Sequence, residues 1–122
     1  RGEGWGLPVM QSLATGVPAI VTNYSGVLDF ANEDNSYILN VEKMEPLPSD
    51  LARLYRAPAN AQWALPSLTH LKELMRTAVS DEAGRRRKGK RARDFVAKRF
   101  SEDAVANAML DRINEIGAWL TS

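Results

Sequence analysis

The sequence predicts an α/β protein in which two short parallel strands are followed by three helices. Two observations support this prediction. Short β-branched runs alternate with helix-tolerant segments in the first third of the chain, and amphipathic patterns fill its second half. Strands that alternate with helices are typical of α/β packing around a parallel sheet. A chain of 122 residues has the size of one domain, which buries roughly two thirds of the surface that the unfolded chain exposes.

The first elements are a short helix and two strands. Residues 8–15 tolerate a helix, and Gly16 is suited to end it in a left-handed conformation. The β-branched run at residues 17–22 is too short for a helix and predicts a buried strand. One helical turn is expected at residues 27–31. The apolar run at residues 37–39 then predicts the second strand.

The segment from Val41 to Leu65 is predicted to be a long loop. Prolines punctuate it and follow it, at positions 46, 48, 58 and 66. A single helical turn is expected from Ser49 to Tyr55, because Ser49 is a good N-terminal cap. Trp63 is interpreted as an anchor that holds this loop to the domain, in preference to a platform that stacks on a sugar.

The chain from Pro66 to Ser122 is predicted to be helical. A first helix begins at Pro66 or Ser67, a second covers residues 81–99, and a third begins at a Ser101 cap. The third helix has the clearest amphipathic stripe of the sequence, formed by Val105, Met109, Ile113, Ile116 and Leu120.

Two parallel strands are too few for a complete sheet. Such a pair is normally covered on both faces and continued at its edges. We therefore expect self-association through the open sheet edges. The chain also begins without an initiator methionine. Both observations predict that it is a fragment of a longer protein.

Composition narrows the class of protein. The net charge is +1, so binding to nucleic acid is not expected from the global charge. The chain has no cysteine, which removes disulfides and thiolate metal sites. No run approaches the roughly 20 apolar residues that span a bilayer. We expect a soluble, cytoplasmic protein.

The stretch most suggestive of chemistry is Glu3-Gly4-Trp5-Gly6-Leu7-Pro8. A carboxylate precedes a glycine turn that opens directly into a helix. Glycines let the backbone approach a ligand closely, and the free N–H groups of a helix start attract phosphate. Gln11 lies further along the same helix, where its amide can bond to a hydroxyl. By pattern alone, a tight loop with Glu3 as a capping residue explains the stretch equally well.

The stretch EGWGLPVMQSLATGVPAIVTNYSGVLDF resembles the signature of GT-B-fold retaining glycosyltransferases, of the group 1 or family 4 type. There an acidic residue and a glycine turn open a helix, and A-x-G-x-P-V-I/V-x-T leads into the next strand. The likeness extends more weakly through the helical remainder. It implies that residues 1–122 are the C-terminal part of a nucleotide-sugar-binding, partial Rossmann-like domain.

The resemblance also implies a site. Glu3 would lie beside the transferred sugar as the catalytic residue, and the turn of Gly4, Trp5, Gly6 and Leu7 would bind the donor, a nucleotide-diphosphate sugar. In the family a second acidic residue binds the ribose. Gln11 occupies that position here, which predicts a weaker ribose contact.

The resemblance further implies that the sugar is transferred with retention of its anomeric configuration and without a metal ion or other cofactor. The Asp-x-Asp metal motif does not occur in the chain. The acceptor would bind to a separate N-terminal domain that lies outside this chain. We therefore expect the isolated chain to be inactive.

The alternative to an enzyme is a non-catalytic module of the same ancestry. Its basic run from Arg85 to Arg93 would bind an anionic partner. A solvated helix surface is the favoured interpretation of that run, because the cations spread around the helix without aromatics to stack bases. His70 is interpreted as an exposed structural residue. Tyr24 and Ser25 lie in a turn after a strand, where ligands often bind, although a turn rich in Asn, Ser and Gly explains them equally well.

Overall fold

The structure is a computed structural model that describes residues 4–120. In chain order its first elements are helix α1 (Leu7–Ala14), strand β1 (Ile20–Thr22), a 3-10 helix (Gly26–Asp29) and strand β2 (Tyr37–Leu39). Next come strand β3 (Val41–Pro46), helix α2 (Ser49–Leu54) and strand β4 (Gln62–Pro66). Helices α3 (Leu68–Ser80), α4 (Glu82–Phe100) and α5 (Glu102–Leu120) follow. The described part of the chain is mixed α/β, as predicted.

Strands β1 and β2 form the expected parallel pair. Val21 lies opposite Ile38, and the ladder continues when the Tyr37 amide donates to the Ala19 carbonyl at 2.8 Å. Strand β1 is shorter than the β-branched run that predicts it, since Pro18 has no N–H group to donate. The centre of β1 and both ends of β2 are buried, which is typical of a parallel sheet.

The prediction of a long loop from Val41 to Leu65 is wrong. Strands β3 and β4 pair antiparallel, with Trp63 opposite Glu45, and the ladder is irregular between Val41 and Lys43. Helix α2 lies between the two strands and confirms the helical turn expected from Ser49. Pro46 and Pro66 stand at the last positions of their strands, where a missing N–H group costs little.

The core lies between β1, α1 and α4. Leu13, Val21, Phe30 and Ala92 are buried together, and Phe95 and Phe100 pack against them. Helix α4 turns its small residues Gly89 and Ala92 inward. Gly16, with a φ of +81°, ends α1 in the expected left-handed conformation and meets Gly89 of α4.

Helix α5 stands apart from this core. Ser101 caps its start, since its side chain accepts a hydrogen bond from the Ala104 amide. No residue of α5 is buried, and Met109 and Ile113 each retain 61% exposure. Within residues 4–120, no helix has both the length and the apolar character needed to span a membrane.

Candidate functional site

The turn at Gly4 to Leu7 presents free backbone donors at the start of α1. Gly6 is the N-cap, with a φ of 87° and a ψ of 46°, and it offers no side chain to cap the helix. The first helical hydrogen bond runs from the Met10 amide to the Gly6 carbonyl at 3.0 Å. Within residues 4–120 the amides of Leu7 and Val9 have no acceptor, and Pro8 has no N–H. The first turn of α1 therefore keeps two donors available to an anion.

The loop after β1 lies directly against this turn. A Cβ atom added to Gly26 would overlap the carbonyl oxygen of Gly4, so only glycine allows this approach. The neighbouring Ser25 has a φ of 74° and a ψ of −170°, a conformation that non-glycine residues rarely adopt. Strained backbone of this kind concentrates at ligand sites. The carboxyl end of β1 and the amino end of α1 thus meet at one place.

Ser25 and Gly26 extend the site that the sequence predicts. The residue pattern placed Ser25 and Gly26 in the turn after a strand, and the resemblance extends through both residues. The signal is the Ser-Gly pair a few residues beyond a buried parallel strand, because ligands of open α/β sheets bind at that end of the strands. What the sequence does not show is that this loop touches Gly4.

Trp5 packs against aromatic side chains at the edge of the core. Its ring centroid lies 5.5 Å from that of Phe30 and 5.9 Å from that of Phe100, the latter in an edge-to-face arrangement. Phe30 is 1% exposed, whereas Trp5 is 37% exposed. The indole therefore fixes the glycine turn to the core and to the end of α4. Its contribution to the site is to hold the backbone of its neighbours in place.

Buried Asn35 organises the loop that carries Phe30. Its amide nitrogen donates to the Phe30 carbonyl at 2.8 Å, and its side-chain oxygen accepts from the Asn32 amide at 2.8 Å. Asn35 is 2% exposed, so the bond to the Phe30 carbonyl is shielded from water and strengthened by the low local dielectric. Phe30, which contacts Trp5, is thus held by a buried amide within its own loop.

The remaining predicted site residues lie around the same turn. Gln11 is exposed on α1, one helical turn after Leu7, which is 60% exposed. Residues four apart share a face of a helix, so Gln11 and Leu7 lie along one surface that starts at the free amides. Glu3, the predicted catalytic residue, lies outside the described residues.

Two further residues that the sequence analysis considered, His70 and Trp63, lie far from the turn in the sequence and take part in packing. His70 accepts a hydrogen bond at Nδ1 from the Asn40 amide at 3.1 Å, which ties α3 to the end of β2. This contact supports a structural role, but His70 is half-buried rather than exposed as predicted. Trp63 is half-buried in β4, within the hairpin that replaces the predicted loop.

The basic run on α4 divides into inner and outer cations. Lys88 donates to the carbonyls of Glu33 and Ser36, and Arg85 donates to carbonyls at the end of α3. Arg87 and Lys90 are exposed and form no ion pair within residues 4–120. The prediction of a solvated helix surface therefore fits the outer cations, whereas the inner cations have structural partners.

The geometry of the turn suits an oxyanion that carries more than one oxygen. Backbone amides at a helix start bind phosphate through hydrogen bonds and the helix dipole. Across residues 4–120, no cluster of three or more histidine, aspartate or glutamate side chains is placed to hold a metal ion. Metal-free action stays a prediction.

The sequence matches no protein-family model, and no curated protein is significantly similar to it.

Proposed function

We propose that this chain is the donor-binding part of a glycosyltransferase, which transfers a sugar with retention from a nucleotide-diphosphate sugar to an acceptor. The observation that supports this proposal is the junction of the Gly4–Leu7 turn with Ser25 and Gly26, at the start of α1 and the carboxyl end of a parallel strand. The partial Rossmann-like, GT-B interpretation of the mixed α/β fold belongs to the same proposal.

The amides of Leu7 and Val9 would bind the diphosphate. As the bond between the sugar and the diphosphate breaks, negative charge grows on the departing phosphate. Fixed N–H donors aimed at that charge stabilise it more strongly in the transition state than in the ground state. Glu3 would lie beside the sugar, and Gln11 would bond to the ribose. An acceptor-binding N-terminal domain in a longer protein would complete the enzyme.

A nucleoside diphosphate titration followed by amide NMR tests the proposal on this chain directly. We expect UDP, GDP or ADP to shift the amide signals of Leu7, Val9, Ser25 and Gly26 before others. Binding is expected to be weak, in the millimolar range, because the rest of the enzyme is missing. Shifts confined to α4, or no shifts at the turn with any of the three, would contradict the proposal.

Two variants sharpen the titration. Gly26→Ala forces the Gly4 backbone to move, so it should reduce binding by about tenfold or more. Gly117→Ala is the control, since its added methyl meets nothing within 4 Å. Gln11→Glu should raise affinity for the nucleoside diphosphate but not for inorganic pyrophosphate, because only the former has a ribose. Equal effects on both ligands would show that Gln11 does not contact the ribose.

A second candidate function is the non-catalytic module that binds an anionic partner. The observation that favours it is the exposure of Arg87, Lys90 and Arg93 on α4 without ion-pair partners in residues 4–120. Calorimetry against anionic vesicles and an oligonucleotide at two salt concentrations tests it. Salt-sensitive binding without any nucleotide response at the turn would favour the module over the enzyme.

A further inference from the structure

His70 is bonded to the backbone at the point where β2 ends. Its Nδ1 atom accepts a hydrogen bond from the Asn40 amide at 3.1 Å. Beside this bond, the Ser67 amide donates to the Asn40 carbonyl at 2.9 Å. Ser67 is the N-cap of α3, and His70 is the third residue of that helix. The start of α3 therefore holds both backbone groups of Asn40.

The same end of β2 holds the loop of the candidate site. Leu39, the last residue of β2, directly precedes the residue that His70 holds. Its carbonyl accepts a hydrogen bond from the amide of Asn23 at 2.8 Å. Asn23 is the first residue after β1 and lies three residues before Gly26, whose backbone approaches Gly4. A short series of backbone contacts thus connects His70 to the loop that meets the start of α1.

The hydrogen bond from Asn40 requires a neutral imidazole. A neutral ring has one nitrogen with a free lone pair that accepts, whereas a histidinium ion carries N–H groups at both nitrogens and accepts at neither. Histidine commonly gains its second proton between about pH 5 and 8. A proton from solvent would place an N–H group at Nδ1 against the Asn40 N–H group, and the bond would be lost. Asn40 is exposed, so solvent reaches this pair.

The surroundings of His70 supply no counter-charge that is already in place. Within residues 4–120, no carboxylate forms an ion pair with His70. Helix α3 packs against β2 and α4. The charged or titratable side chains on these elements and on the adjoining strand that lie nearest in the fold are Lys72, Glu73 and Arg76 on α3, Tyr37 on β2, Glu42 and Lys43 on β3, and Arg85 on α4. A positive charge on His70 would also lie in the first turn of α3, where it opposes the helix dipole.

We infer that His70 is a positioning residue of the candidate site, and that protonation of its imidazole releases the end of β2 and loosens the loop at Ser25 and Gly26. The parallel strands β1 and β2 end at the same edge of the sheet, and open α/β sheets bind ligands at that edge. A looser loop no longer holds Gly26 against Gly4. The effect on a bound nucleotide rests on the proposed function, whereas the effect on the loop does not.

NMR spectroscopy from about pH 5 to 8 tests the inference without any ligand. His70 is the one histidine of the chain, so its ring signals are assigned directly. We expect the amide signals of Asn40, Asn23 and Gly26 to titrate together with the ring. The Asn40 amide should also lose protection from exchange by about threefold or more, which is the loss of one hydrogen bond. A ring that titrates while these three amides stay unchanged would overturn the inference.

Two variants separate the hydrogen bond from the ring. His70→Asn keeps an acceptor near the position of Nδ1, because both acceptor atoms are bonded to Cγ, and it does not titrate. It should keep the loop signals of the neutral protein and abolish their pH dependence. His70→Phe keeps a ring without an acceptor, so it should resemble the acidic form at every pH. Circular dichroism checks that both variants are folded. Loop signals that still titrate in His70→Asn would rule out His70 as their cause.

Nucleotide binding over the same pH range tests the consequence for the site. From neutral to acidic pH, the affinity of the unmodified chain for UDP, GDP or ADP should fall about threefold or more beyond the fall seen in His70→Asn. The variant controls for protonation of the phosphate itself. If the loop responds to pH but none of the three nucleotides binds at any pH, the proposed function fails and the role of His70 in the loop stands. If a nucleotide binds and both chains lose affinity equally, His70 does not position the site.

Discussion

At the scale of single residues, two glycines decide how closely α1 approaches α4. Gly16 ends α1, and Gly89 lies in the middle of α4, where it is buried. A Cβ atom at Gly89 would overlap the carbonyl oxygen of Gly16 and come within 3.5 Å of the Pro18 ring. The two helices therefore pack backbone to backbone, next to the fully buried core residue Leu13 in the last turn of α1.

We predict that Gly89→Ala destabilises the protein although alanine favours helices. Overpacking a tight contact costs roughly 1–3 kcal/mol, which exceeds the gain of about 1 kcal/mol in helix propensity. Gly117→Ala in exposed α5 is the matched control, and it should raise the free energy of unfolding by up to about 1 kcal/mol. Urea denaturation of both variants measures the difference. A Gly89→Ala variant as stable as its control would show that α1 and α4 do not meet this closely.

The role of Trp5 also belongs to the residue scale. The sequence places it in a glycine turn at a helix start, and the resemblance implies that this turn would meet a ligand. The structure adds that the indole points to Phe30 and Phe100, residues 25 and 95 positions further along the chain. A sequence pattern does not show which residues so far apart in the chain are in contact, so this packing role was not predictable.

At the scale of elements, α4 acts as the scaffold of the domain. Its buried residues Ala92 and Val96 belong to the core, and its cations reach sideways to neighbouring segments. Lys88 lies 5.1 Å from the Tyr37 ring centroid and donates to the Ser36 carbonyl at 2.9 Å. One lysine thus joins α4 to the start of β2.

The inner and outer cations of α4 should differ in their effect on stability. Lys88→Met keeps an apolar stem but leaves two carbonyl oxygens without their donor, so it should lower the free energy of unfolding by roughly 1–3 kcal/mol. Lys90→Met removes an exposed charge and should change it by less than about 0.5 kcal/mol. Thermal and urea unfolding would compare them. Equal effects of the two variants would mean that the Lys88 contacts contribute no stability.

The elements show which parts of the fold were predictable. Local patterns are enough to predict helices α1 and α3 to α5 and the two parallel strands. The same patterns mark the residues at which three of these helices begin, Ser67, Asp81 and Ser101. The β3–β4 hairpin does not, because its pairing joins residues 16 to 25 positions apart and its prolines are typical of loops. Proline is tolerated there only because it stands at strand ends.

At the scale of the whole molecule, the candidate site is only partly encoded in a continuous stretch. The Gly4–Leu7 turn and Gln11 were predictable, since free amides at a helix start follow from a glycine turn. The contribution of Ser25 and Gly26 depends on the crossover from α1 to β1, which brings the end of the strand back to the start of the helix. Sequence patterns show both segments but not their contact at Gly4.

The same contrast between local pattern and packing applies to α5. Its stripe predicts an amphipathic helix, and that helix is present. The stripe does not show which surface covers it, and within residues 4–120 the core is complete without it. The helix is thus amphipathic through its sequence and exposed through its position, so its contribution to the stability of the core should be small.

Removal of α5 provides the measurement. A chain that ends at Ser101 keeps every buried core residue, so its free energy of unfolding should fall by no more than about 1 kcal/mol, despite the loss of 19 helical residues. Val96→Ala, which removes two buried methyl groups, should cost more, roughly 1–3 kcal/mol. Both are to be measured at the same low protein concentration. If the shortened chain loses cooperative unfolding while Val96→Ala retains it, α5 belongs to the folding core after all. If the order is as predicted, α5 lies outside the cooperative core.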